Sequence, residues 1–279
     1  MFQMSGAKLQ LIDIVPMFIL WGILSVVAFF LLYRKQMKKT YSLILYGISL
    51  VIGGIILGGI PNAVMPIQQI LFTITMGNPV LTVLPMIIIL FLLLATTLVI
   101  GRTFCGYGCP LGVLQELISK VQFKTNAKKS ERGKYILGIP KKIRLGIRGV
   151  LFLVFFIMAI FWSMNVLQIF NPFLGFSLFV NPLGFVFWVP LILLGITVIA
   201  SLFVYRPWCT LACPFGVMTN LTSRLSRYTL VRTEDCTDCG LCEQICPIQE
   251  AGRDDSKAEC YLCNRCAEIC PQDAIRISK

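Results

Sequence analysis

Five stretches of this chain carry no charge and are long enough to matter in a bilayer: residues 16–33, 41–59, 80–101, 150–170 and 184–205. A helix needs about 20 apolar residues to cross a hydrocarbon core. Inside that core every backbone N–H and C=O must be satisfied within the chain, so a spanning segment is a helix or part of a closed barrel. The five runs predict a polytopic α-helical membrane protein. A hydrophobic content of 57% and a mean hydropathy of +0.80 agree. The first run is expected to be a retained helix rather than a signal peptide. No basic segment or small-residue cleavage site marks it, and "RKQMKK" follows as a stop-transfer flank.

The net charge of +12 is unevenly spread. Residues 1–227 hold 19 Lys and Arg against Asp13, Glu116 and Glu131, whereas residues 228–279 hold ten acidic and six basic residues. The basic charge is therefore that of membrane flanks, not of a nucleic-acid surface, and the tail reads as a separate acidic module. Arg34, Lys35, Lys38 and Lys39 crowd one loop and 102–148 is rich in Lys and Arg, while 60–79 and 171–183 carry no charge. By the positive-inside rule the N-terminus lies outside a cell membrane and the tail lies in the cytoplasm. The two uncharged connections, with Asn62, Gln68, Gln69, Asn171 and Asn181, are expected to form short re-entrant or interfacial helices. Asp13 reads as interfacial, with proton transfer as the other use of an ionisable group there. The basic loop 124–144 reads as an anchor on anionic lipid or a dock for an acidic partner, this chain's own tail included. Segments 111–123 and 215–230 have apolar residues at helical spacing and read as helices lying on the membrane surface.

The chain has no histidine, which excludes bis-histidine haem, histidine zinc sites and a Ser-His-Asp triad. Chemistry falls to the 12 cysteines and to bound cofactors. Four of them lie in a repeat: "RTFCGYGCPLGV" at 102–113 and "RPWCTLACPFGV" at 206–217. Each copy follows a span, a connection and a second span. The two units run the same way, so an axis along the membrane normal would bring the Cys pairs together. Domains are expected at 1–40 (first span and basic loop), 41–227 (membrane repeat) and 228–279 (tail).

The tail carries "CTDCGLCEQICP" at 236–247 and "CYLCNRCAEICP" at 260–271. This C-x2-C-x2-C-x3-C-P spacing is that of bacterial two-cluster ferredoxins, in which the fourth cysteine serves the other cluster. Cys236, Cys239, Cys242 and Cys270 are assigned to one [4Fe-4S] cluster, and Cys246, Cys260, Cys263 and Cys266 to the second. The fourth cysteine is expected to open a short helix, and Gly240 to allow close backbone approach to the first cluster. The tail is thus an α+β two-cluster ferredoxin-like domain. A disulfide framework does not suit a reducing compartment, and zinc takes fewer cysteines per run.

Cys105/Cys109 and Cys209/Cys213 are spaced i, i+4 and share a helix face. They could be small packing residues, a disulfide switch, thiols in partner docking or quinol chemistry, or metal ligands. As ligands, the four thiolates would make a complete set for a third Fe–S cluster, with Arg102 and Arg206 as charge partners.

With duplicated C-x-x-x-C-P motifs after spans and two ferredoxin runs behind them, residues 80–279 resemble the membrane subunits of NapH-type quinol dehydrogenases, a group that includes NosR-type and CcoG-type proteins. The resemblance implies a membrane electron-transfer protein that exchanges electrons with the quinone pool and passes them to protein redox partners. It differs from the pattern in having five spans instead of four, and in lacking the flavin domain of the NosR type and the extra C-terminal domain of the CcoG type. Other readings are an assembly factor that reduces a metal or thiol on a client enzyme, and ferredoxin-linked quinone reduction in the opposite direction.

Overall fold

The computed structural model describes residues 11–77, 79–122, 125–126, 129–130, 138–162, 169–180, 182 and 188–278. Glu131, Asn181 and the Asp13 side chain lie outside them. Helices α1 (Leu11–Tyr33), α2 (Lys39–Ile48, prolonged by a π-helical turn Ser49–Ile56), α3 (Val64–Thr75) and α4 (Leu84–Ile100) lead to the first Cys pair. Then come α5 (Pro110–Gln122), a two-residue hairpin β1 (Thr125–Asn126) and β2 (Lys129–Ser130), and α6 (Lys141–Trp162). A 3-10 turn Pro172–Phe176, α7 (Ser177–Val180), α8 (Trp188–Ala200) and α9 (Pro214–Ser223) complete the membrane part. The tail holds β3 (Thr229–Arg232), α10 (Leu241–Ile245), α11 (Arg265–Ile269) and β4 (Ile275–Ser278).

Among the described residues three helices are long and apolar enough to cross a membrane: Lys39–Ile56, Leu81–Ile100 and Lys141–Phe161. Phe18–Tyr33, Val64–Thr75 and Trp188–Ala200 are shorter apolar helices. The expected span at 150–170 begins earlier, because α6 takes in Lys141, Lys142, Arg144 and Arg148 before its apolar run. Phe91, Val150, Phe161 and Ile196 stand exposed on these helices, the apolar faces a bilayer covers. The protein is a largely helical membrane protein with a ferredoxin domain.

Both uncharged connections contain helix. Asn62 Oδ1 accepts from the Val64 amide at 2.9 Å, and Asn171 Oδ1 accepts from the Phe173 amide at 3.1 Å, so each asparagine satisfies an orphan donor at a helix start. The Asn171 amide also donates to Gln68 Oε1 at 3.3 Å, tying the two connections together. Gly59, at φ +91°, turns where a Cβ would meet the Phe173 carbonyl. One core gathers Trp21, Val64, Leu93, Phe104, Cys109, Leu111, Phe173, Leu194 and Phe215 between the helices.

The expectation of α5 and α9 as surface helices is corrected. Leu111, Val113, Gln115, Glu116, Thr219 and Ser223 are all buried, Leu111 in the core between the helices, and Glu116 and Ser223 against Arg265 and the Ala258 carbonyl of the tail. The second segment is also helical only to Ser223; Thr229–Arg232 is strand. Nor is the tail a detached module. Its strands β3 and β4 pair antiparallel, Leu230 opposite Ile277, and Leu230, Leu262, Ile275 and Ile277 pack in one core with Leu24, Leu32 and Leu45 of α1 and α2. The basic segments reach it too: Lys35 Nζ lies 2.7 Å from Asp273 Oδ2, and Lys141 pairs with Glu250.

Candidate iron–sulfur centres

The two ferredoxin runs adopt one backbone twice. Asp238 and Leu262 lie in the left-handed region (φ +48° and +54°), as do Gly240 and Asn264 (φ +74° and +67°). Gly240 and Asn264 each cap the N-terminus of a five-residue helix that carries the third cysteine, Cys242 or Cys266. Two expectations change here. The fourth cysteines, Cys246 and Cys270, close these helices rather than open others, because Pro247 and Pro271 stop the helix and hold the residue before them extended. Gly240 has open space where a Cβ would be, so the left-handed turn, not close approach, calls for glycine.

These turns bring the eight tail cysteines around two cavities. Cys236, Cys239, Cys242 and Cys270 line one of about 350 Å³. Cys246, Cys260, Cys263 and Cys266 line another of about 560 Å³. The Glu250 amide donates to Cys246 Sγ at 3.4 Å and the Ala274 amide to Cys270 Sγ at 3.3 Å.

The membrane cysteines gather around a third cavity. Cys105 and Cys209 lie on π-helical turns, Phe104–Gly108 and Trp208–Ala212, and Cys109 and Cys213 close them in extended conformation; each turn runs into a helix begun by Pro110 or Pro214, where proline has no amide to waste. Cys105, Cys109, Cys209 and Cys213 line a space of about 380 Å³ with Arg102, Phe104, Trp208, Tyr261 and the connection residues Ala63, Val64 and Phe173. Gln115 Nε2 donates to Cys209 Sγ and the Gly112 amide to Cys109 Sγ, both at 3.5 Å. The buried Trp208 Nε1 has no protein partner among the described residues. Burial pushes the Cys105 and Cys213 thiols up, to about 11 and about 12. They are neutral as free thiols, and taking up a metal would expel their protons. Four thiols lining one space are the donor set that a thiolate-held iron–sulfur cluster uses.

The charge around these cavities goes well beyond the two arginines expected there. Arg102, Arg144, Arg148, Arg206 and Arg265 are buried, around the carboxylates Glu116 and Glu259. Glu116 Oε2 accepts from Tyr205 Oη at 2.6 Å and Arg206 Nε at 2.9 Å, and its Oε1 from Arg265 Nη2 at 2.6 Å. Glu259 pairs with Arg148, lies 3.5 Å from Arg144 and 3.7 Å from Arg102, and accepts from Asn220 at 3.2 Å. Burial acts to raise both carboxyls, but Arg265 and Arg206 hold Glu116 down to about 2, and Arg148 and Arg102 keep Glu259 low. Two guanidiniums also reach from one cysteine motif to the other, and a third comes from α6. Arg206 Nη1 donates to the Cys105 carbonyl at 2.7 Å, Arg102 Nη2 to the Gly216 carbonyl at 3.3 Å, and Arg148 Nη1 to the Cys209 carbonyl at 3.4 Å. Five buried cations around two carboxylates call for further negative charge, which a thiolate-bound Fe–S cluster supplies. Arg102 and Arg206 were legible as charge partners. The clue to Glu116 was its rarity, as one of three acidic residues in the first 227.

Fold and cysteines together define an iron–sulfur membrane protein of the ferredoxin type, and its similarities lie with the NapH-type group that the paired motifs resemble. The 4Fe-4S binding domain family matches twice, at residues 82–128 and 186–230, each match enclosing one C-x-x-x-C-P motif. The uncharacterized protein MJ0750 of Methanocaldococcus jannaschii is 29% identical over 193 residues, 68% of this chain and 77% of the relative. The putative electron transport protein YccM of Escherichia coli is 29% identical over 196 residues, 66% of this chain and 53% of YccM. The ferredoxin-type protein NapH of Escherichia coli is 25% identical over 196 residues, 63% of this chain and 62% of NapH. No solved structure matches.

Proposed function

We propose that the chain is the electron-transfer subunit of a membrane oxidoreductase, carrying electrons between the quinone pool and protein redox partners. The observation that carries this reading is the sorting of all twelve cysteines into three cavities of four. In it, Cys236, Cys239, Cys242 and Cys270 hold one [4Fe-4S] cluster. Cys246, Cys260, Cys263 and Cys266 hold the second, and Cys105, Cys109, Cys209 and Cys213 hold a third. Bound clusters supply one-electron redox chemistry. The chain supplies the thiolates, the N–H donors to sulfur and the buried arginines that tune potential.

The reading includes five spans, the first helix followed by two parallel units of two spans each, with the tail cytoplasmic. Lys35 and Lys141, from the two basic segments, both reach the tail, which supports a shared side. Ala63, Val64 and Phe173 approach the third cavity from the uncharged connections and Tyr261 approaches it from the tail. In this reading a centre there relays electrons between the tail and the membrane part, where quinone is met.

Iron and acid-labile sulfide per chain in anaerobically purified protein test the reading. The expected result is about twelve irons, falling to about eight when Ser replaces Cys105, Cys109, Cys209 and Cys213. About eight irons in both proteins would remove the third centre and return those cysteines to a thiol role.

A further inference from the structure

The two inner cavities share a wall, and that wall is one residue of the tail. Tyr261 lines both the cavity of Cys246, Cys260, Cys263 and Cys266 and that of the four membrane cysteines. Its side chain is buried, and its hydroxyl has no hydrogen-bond partner among the described residues. The ring sits against two guanidinium carbons, 4.5 Å from Arg206 and 5.6 Å from Arg102, with Tyr205 edge-on at 6.3 Å.

The backbone of the same loop is held just as closely. A Cβ on Gly106 would collide with the Tyr261 carbonyl oxygen, so the turn between Cys105 and Cys109 accepts the loop only because glycine stands there. The next motif residue, Tyr107, donates its hydroxyl to the Leu262 carbonyl at 3.1 Å. Two consecutive tail residues are thus gripped by two consecutive motif residues. The second motif has Thr210 and Leu211 at the matching positions, so the grip belongs to the first copy.

We propose that Tyr261 is the electron-transfer bridge between the second ferredoxin centre and the membrane centre, and that Gly106 is the positioning residue that sets its distance. The proposal rests on reading the four membrane cysteines as cluster ligands. One electron crosses per event, lost on one side of Tyr261 and gained on the other, supplied by a one-electron reductant; no bond forms or breaks and no proton is taken up. Arg102 and Arg206 against the ring face favour negative charge along that route.

The test compares iron content with the arrival of an electron at the membrane centre in the full chain, after a photochemical one-electron reductant has reduced the tail, read by rapid-freeze electron paramagnetic resonance. The signal absent when the four membrane cysteines are serine identifies the membrane centre. Gly106→Ala, which pushes the loop away, should keep about twelve irons and lose the fast phase of that arrival. Tyr261→Leu should lose it as well, and Tyr261→Phe should keep it, since the hydroxyl has no partner among the described residues. Twelve irons with an unchanged fast phase in both Gly106→Ala and Tyr261→Leu would overturn the bridge while leaving the third centre standing. A wild type with about eight irons would instead overturn the reading beneath it. If Gly106→Ala does not accumulate, the Leu and Phe pair at 261 decides alone.

Discussion

At the scale of single residues, Glu116 governs the most. It is fully buried, and its two oxygens join Arg206 of the second cysteine motif, Arg265 of the tail and the Tyr205 hydroxyl. Removing one partner of such a group leaves charges in a medium that cannot solvate them, at a cost of about 3–5 kcal/mol. Glu116→Gln should therefore lower stability by roughly that amount, read as a drop in the denaturant midpoint in detergent. The sign of the pH dependence follows from the depressed carboxyl. Its folded value is about 2 against an ordinary 4.5, so its contribution is fully present above 4.5 and is lost as pH falls toward 2. The gap in stability between wild type and Glu116→Gln should close over that window. A gap that stays constant would mean that Glu116 is not held as the anion.

At the scale of elements, the repeated turn is a paired device. Arg206, from the second turn, caps the Cys105 carbonyl of the first, and Arg102, from the first, reaches the Gly216 carbonyl in the helix after the second. Arg206 also holds Glu116 through Nε, a forked contact that an ammonium cannot reproduce. Arg206→Lys keeps the charge and should still cost about 1.5–3 kcal/mol, the worth of a charged hydrogen bond. Thermal unfolding of the variant in detergent reads that loss; an unchanged midpoint would show that charge alone suffices. The contrast explains what the sequence revealed. The apolar runs, the C-x2-C-x2-C-x3-C-P spacing and the duplicated motif are local patterns, and the cysteines they marked are the ones that line the cavities. The bonds joining the membrane helices to the tail span long separations, 149 residues from Glu116 to Arg265 and 111 from Arg148 to Glu259. No spacing rule announces such a pair. The burial of α5 and α9 was missed for the same reason, because their polar residues read as solvent-facing until the tail's arginine and glutamate are seen to meet them.

At the scale of the whole molecule, the question is what fastens the cysteine-rich tail to the membrane helices. Two kinds of charge contact are present. Lys35–Asp273 is exposed, with side chains 37% and 73% accessible, and a pair of that kind is worth about 0–1 kcal/mol and is screened by salt. Glu259 sits immediately before the cysteine loop 260–266 and is buried among Arg102, Arg144 and Arg148, where screening ions do not reach. The apolar contacts of Leu230, Leu262, Ile275 and Ile277 with α1 and α2 add a seam that salt strengthens rather than weakens. Docking should therefore survive high ionic strength and the Lys35→Ala change, yet fail in Glu259→Gln, which leaves three guanidiniums facing a neutral amide. Hydrogen exchange of the amides from 257 to 266 in detergent-solubilised protein reads this directly. Protection should be unchanged by molar salt and by Lys35→Ala, and should fall sharply in Glu259→Gln. Loss of protection in salt alone would place the attachment in the exposed charges and make the tail a mobile carrier instead of a fixed wire.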